Sequence, residues 1–144
     1  MNFEQNVTNI IEVDMTGFFQ KLKSENINFL KQHQCPSTLL EHFINGLQGF
    51  AKPNTFEFEG IELSVDYFLG CSDNDTYDIV NFNKYFNSRD NYIAIGVLAG
   101  EDTFGFVPGK EGIYISLDTD SNVDEDVFGC ISLNIDEFLN LVFE

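Results

Sequence analysis

The sequence predicts an α+β domain: a mixed, mostly antiparallel sheet packed by N-terminal helices and a C-terminal helix. Three observations carry this. Residues 93–107 read IAIGVLAGEDTFGFV, two apolar stretches that alternate with a period of two around a Gly- and acid-rich turn. Residues 17–47 hold apolar positions at helical spacing. A final stretch starting at Ile135 repeats that spacing. No repeat or linker divides the 144 residues, so a single domain over 1–144 accounts for the chain.

In chain order, 7–13 fits strand and helix equally. Thr16 is placed to cap a helix over 17–32, with Phe18, Phe19, Leu22, Phe29 and Leu30 near one face; Asn26 and Asn28 weaken its middle and leave room for two shorter helices. Pro36 opens a second helix, Thr38 and Glu41 fit a capping box, and Leu39, Leu40, Phe43, Ile44 and Leu47 form its stripe before Asn45-Gly46 ends it. His42 is assigned to the opposite, polar face. Phe56 and Phe58, a Glu59-Gly60 turn, then Ile61, Leu63 and Val65 predict a hairpin over 55–65, paired into the same sheet as 93–107 and 113–117. Residues 70–78 read as a loop, and Asp78 as the cap of a short helix over 79–87. Residues 92–97 form a central strand, because both of its faces are apolar or small. Gly105 leaves room for a backbone or a large side chain to approach. A strand at 113–117, an acidic loop at 118–126 and a strand at 127–132 follow, and Asn134 with Glu137 starts the last helix, whose stripe is Ile135, Phe138, Leu139 and Val142. Leu39, Phe43, Ile95, Phe104, Phe106 and Phe138 are the expected core.

The net charge is −17, of which −10 falls in 101–144, where Lys110 is the one base. Phosphate contacts need Lys and Arg, so nucleic acid and anionic membrane surfaces are excluded as direct partners. No apolar run approaches the roughly 20 residues that span a bilayer. The N-terminal stretch has neither a basic start nor a small-residue cleavage site, so a cytoplasmic protein is expected. Cys35, Cys71 and Cys130 have neither disulfide nor zinc spacing and are read as buried free thiols.

Asp118, Asp120, Asn122, Asp124 and Asp126 alternate like the start of a calcium-binding EF-hand loop. Val123 then stands where Gly is needed and Gly129 where the bidentate Glu belongs. An acidic turn is the plainer reading, with weak Ca²⁺ attraction left open. Adjacent Glu101-Asp102 lack an acid–base partner. GxSxG, phosphate-loop, dinucleotide and HExxH motifs are all missing, so no cofactor, no metal and no catalytic activity are expected. Both acidic groups flank neighbouring strands. Glu101, Asp102, Asp118, Asp120, Asp124, Glu125 and Asp126 are therefore expected at one end of the sheet, as a surface for a basic partner.

The order of segments resembles the SUKH superfamily of bacterial toxin-immunity proteins and fungal cell-wall regulators. The resemblance rests on Cys35-Pro36, Phe43 to Asn45-Gly46, Ile93-Ala94-Ile95-Gly96 with Gly100-Glu101-Asp102, Ile113-Tyr114 and the helix from Ile135. It spans roughly 25–144. Cys35 replaces the usual Leu, and Leu47-Gln48-Gly49 follows Asn45-Gly46 where the family has a further Gly. The resemblance implies a non-enzymatic domain that binds and blocks a cognate toxin, with a regulatory or scaffold module as the alternative. A basic nuclease toxin would match the charge.

Overall fold

In a computed structural model, residues 9–87, 89–117 and 127–143 are described. Helices α1 (Ser24–Gln32) and α2 (Ser37–Ile44) precede strands β1 (Gly49–Phe50), β2 (Phe56–Phe58), β3 (Ile61–Leu63) and β4 (Val65–Phe68). Helix α3 (Ile79–Tyr85) leads into β5 (Ile93–Leu98), β6 (Thr103–Phe106), β7 (Ile113–Leu117) and β8 (Val127–Ser132), and α4 (Ile135–Phe143) follows. The main sheet has six strands in the order β1-β4-β5-β6-β7-β8, every pair antiparallel. β5 is thus interior, and all six of its residues are buried.

Cross-strand register assigns the faces, because directly paired residues point the same way. One row runs Gly49–Phe68–Gly96–Phe104–Ile115–Gly129. On that face Phe68 meets Phe104 edge-on at 5.4 Å and Phe104 stacks on Phe138 of α4 at 4.9 Å. The adjacent row, Phe50–Tyr67–Val97–Thr103–Ser116–Phe128, lies on the other face. That is the face of α3, whose Asn83 Nδ2 donates to the Ala94 carbonyl at 2.9 Å while its Oδ1 accepts from the Ala94 amide at 2.8 Å.

Several expectations need correction. The first helix begins at Ser24, not at residue 17. Gly17 stands at φ 71°, outside the helical region, and the Gln20 amide donates to the Cys71 carbonyl at 2.8 Å in an isolated antiparallel bridge, so the backbone here is committed to other bonds. The Asp14 carboxylate holds the preceding turn, accepting from the amides of Thr16, Gly17 and Phe19 and from the Thr16 hydroxyl. Asn26 is buried at the third position of α1, where its Oδ1 accepts from the Lys23 amide at 2.8 Å. Pro36 stands at the N-cap of α2, and the capping bond expected of Thr38 and Glu41 is not formed, since no side chain caps that end. His42 is buried, not on the surface: it lies three residues after Leu39 and so shares its face, and its Nε2 is 2.9 Å from Asp136 Oδ1 of α4. Ile44, five positions after Leu39, turns outward and is 55% exposed.

The hairpin forms but stands apart, as a separate two-stranded sheet of β2 and β3. After β1, the chain rejoins the main sheet only at Val65. Asn54 explains the break: its carboxamide accepts from the Val65 amide at 2.7 Å and donates to the Val65 carbonyl at 3.0 Å, filling the bonds a further strand would make. The freed hairpin packs on the α4 side, with Phe56 edge-on to Phe138 at 5.8 Å.

Other expectations hold. Asp78 caps α3, accepting from the Asn81 amide at 3.0 Å. Asn134 accepts from the Glu137 amide at 2.9 Å, and the Glu137 carboxylate reaches back to the Leu133 amide at 3.1 Å. Glu59-Gly60 is a two-residue turn with both residues at positive φ. The six expected core residues are all at most 1% exposed. Phe106→Ala is expected to cost roughly 3–5 kcal/mol, measured by urea unfolding, because its site is wholly enclosed; an unchanged midpoint would remove Phe106 from the core.

Candidate functional site

The face that α3 covers is only partly filled. Beside the helix a cleft of about 650 Å³ remains, within the range of ligand pockets. Tyr67, Val97, Thr103 and Ser116, taken from four successive strands, form its floor. Phe82 and Phe86 at the end of α3, with Asn87, Arg89 and Asp90, form one wall. Glu101 and Asp102 of the β5–β6 turn stand on another side, together with Thr76.

The wall is fixed by amide side chains. Asn87 Nδ2 donates to Asn83 Oδ1 at 2.9 Å and to the Tyr92 carbonyl at 2.8 Å, and its Oδ1 accepts from the Arg89 amide at 3.0 Å. This network ties the end of α3 and the segment after it to the start of β5. It sets Arg89, the chain's only arginine, with Nε 2.9 Å from Ser116 Oγ and its guanidinium carbon 4.4 Å from the centre of the Phe128 ring. On the same face, the Tyr92 hydroxyl is 3.0 Å from Thr103 Oγ1 and its ring meets Phe128 edge-on at 5.4 Å.

Burial disfavours phenolate, so Tyr67 and Tyr92 ionise well above the ordinary tyrosine value; the charges of Asp66 and Glu101 push Tyr67 the same way, whereas the Thr103 bond and Arg89 oppose the rise at Tyr92. Both hydroxyls stay neutral hydrogen-bonding groups. Among the described lining residues there is no His or Cys, and Ser116 is held by Arg89. The described residues contain no group of three or more His, Cys, Asp or Glu that could hold a metal ion, and no helix among them is long and apolar enough to cross a membrane.

Of the residues expected to form an acidic surface, Glu101 and Asp102 come to the cleft. Asp118, Asp120, Asp124, Glu125 and Asp126 lie outside the described residues, as does the calcium-like pattern they form. The strand ends that bracket them, Leu117 and Val127, pair with each other, and Ser116 pairs with Thr103 just after the Glu101-Asp102 turn. The thiol expectation holds only in part. Cys71 is buried and Cys35 half-buried, with burial pushing the Cys35 thiol up to about 12, while Cys130 is exposed because its strand is the sheet edge.

Sequence reasoning missed Tyr67, Phe86, Arg89 and Asp90. Two signals pointed to them: a single arginine in a chain of net charge −17, and an aromatic pair ending a short helix. A comparison with known proteins finds no matching family model, no matching curated protein and no matching solved structure.

Glu101 stands in the left-handed region, with φ 74° directly after Gly100 at φ 97°. An L-residue there is strained, and its exposed side chain carries no packing to offset the strain. Glu101→Gly is therefore expected to raise stability by about 0.5–1 kcal/mol in urea unfolding. A loss of stability would show that the Glu101 side chain supports the fold.

Proposed function

We propose that this chain is a non-enzymatic, cytoplasmic inhibitor of a basic protein, of the toxin-immunity kind that the SUKH resemblance implies. It acts stoichiometrically, by covering the toxin's active site or substrate groove. A nuclease suits the charge, since a surface built to hold phosphates attracts carboxylates equally well. The observation that carries this reading is the placement of Glu101 and Asp102 at a cleft in a sheet face that its helix leaves partly uncovered. The distribution of charge supports it, with net −10 in the segment that begins at this turn.

The reading predicts a toxin gene adjacent to this one, and the product of that gene supplies the test. Co-expression is expected to restore growth, and the purified proteins to form a complex whose association slows as salt rises. Replacing Glu101, Asp102, Asp118, Asp120, Asp124, Glu125 and Asp126 with their amides is expected to slow association about tenfold at low salt, with folding retained. Absence of rescue and of a complex contradicts the inhibitor reading. An association rate that ignores both salt and these substitutions moves the interface away from this end of the sheet.

A further inference from the structure

We propose that the cleft is a receptor for one arginine side chain presented by a protein partner. The inference rests on the reading above in taking the partner to be basic, and it adds the chemical group that enters. Three carboxylates, Asp90, Glu101 and Asp102, line the cleft against the single guanidinium of Arg89. Asp90 and Glu101 are exposed, so their charge faces incoming solvent, while Asp102 is half-buried and already engaged within the protein. The same cleft is lined by Phe86, 55% exposed at the end of α3, which offers an open ring face, and by Tyr67, which is 7% exposed and closes the floor. Carboxylates beside flat aromatic faces select a planar cation. The guanidinium bonds the carboxylates through its fork of N–H donors, its plane lies on a ring, and its methylene stem covers apolar wall. Lysine, a compact and strongly hydrated ammonium, uses less of this arrangement.

The protein's own Arg89 shows the mode. On the same sheet face its Nε bonds a strand hydroxyl, Ser116 Oγ, and its guanidinium lies over Phe128. Thr103, paired with Ser116 on the next strand, carries the equivalent hydroxyl; it is bonded to the Tyr92 hydroxyl at 3.0 Å and keeps at least one lone pair for an incoming donor nearer Asp102. Tyr67, which lines the cleft, remains protonated and adds no competing charge of its own.

The test uses the full chain and needs no toxin. Amide resonances of the ¹⁵N-labelled protein are followed during titration with the peptide Gly-Arg-Gly, and in parallel with Gly-citrulline-Gly, a neutral isostere. The arginine peptide is expected to shift Val97, Thr103 and Phe86 in a saturable way, with citrulline weaker by about fivefold or more. The double variant Glu101→Gln, Asp102→Asn is expected to weaken binding about fivefold, whereas Glu57→Gln with Glu62→Gln, an equal charge change on the β2–β3 hairpin, leaves it unchanged. Phe86→Ser, an exposed substitution, is expected to weaken arginine more than a lysine peptide. The proposal is overturned by equal binding of citrulline, by shifts spread over the acidic surface without preference for the cleft, or by no saturable shift. Cleft-specific arginine binding with no rescue by co-expression would reject the toxin reading alone. Rescue with no arginine binding would reject this proposal alone.

Discussion

Gly96 sits on the interior strand of the sheet, between Phe68 and Phe104 of its two neighbours. A Cβ at that position would lie 2.1 Å from Cζ of Phe104. The missing side chain lets the two rings meet edge-on over β5, and the Phe104 ring then forms the platform on which Phe138 of α4 stacks. All three rings are wholly buried. Much else follows from this contact. It places α4 on one face of the sheet, it gives the β2–β3 hairpin an aromatic surface through Phe56 and Phe138, and it leaves the opposite face to the short helix α3 and to Phe18, Phe19 and Tyr77, which pack on Phe50 and Tyr67. Gly105 has the same kind of role beside it, since a Cβ there would lie 1.9 Å from the Ile93 carbonyl oxygen.

The two faces are held by different chemistry. The α4 face is sealed by rings and aliphatic side chains, whose burial is non-directional and tolerates little empty space. The α3 helix buries Ile79 and Phe82 and is in addition joined through carboxamides, Asn83 to the backbone of Ala94 and Asn87 to that of Tyr92. Hydrogen bonds fix position without demanding that the volume around them be filled. A seven-residue helix held in this way anchors one wall and leaves the rest of the face as a cleft. The acidic turn stands there because β5 and β6 both end at that side of the helix. A closely packed layer thus carries one that is less completely packed.

The sequence displayed the packed layer clearly and the cleft hardly at all. Alternation in 93–107, the cap at Asp78 and the Asn134–Glu137 pair are local patterns, and each produced the element it predicts. Failures came where a long-range or competing bond decided the outcome. Gln20 gives its amide to the Cys71 carbonyl, far along the chain, and the helix starts later than expected. Asn54 closes off Val65 and separates a hairpin from the sheet it was expected to join. His42 shares a helix face with Leu39, and its charged-looking partner Asp136 is 94 residues away in sequence. The cleft depends on four strands in register, so Tyr67, Thr103 and Ser116 become neighbours only through pairing that no local pattern encodes. Glu101 and Asp102 were legible because an acidic turn between two clear strands has one place to go.

The central claim is that Gly96 is present to admit the Phe104 ring, and that the sheet's division into a closed and an open face rests on that contact. A double-mutant cycle measures it directly, by urea unfolding of Gly96→Ala, Phe104→Leu and the pair. Gly96→Ala alone is expected to cost roughly 1–3 kcal/mol through overpacking. In the Phe104→Leu background, where the ring that meets the new methyl is gone, the same substitution is expected to cost at least about 1 kcal/mol less. Costs that add to within about 0.5 kcal/mol would contradict the account, because they would show that Gly96 and Phe104 do not constrain each other.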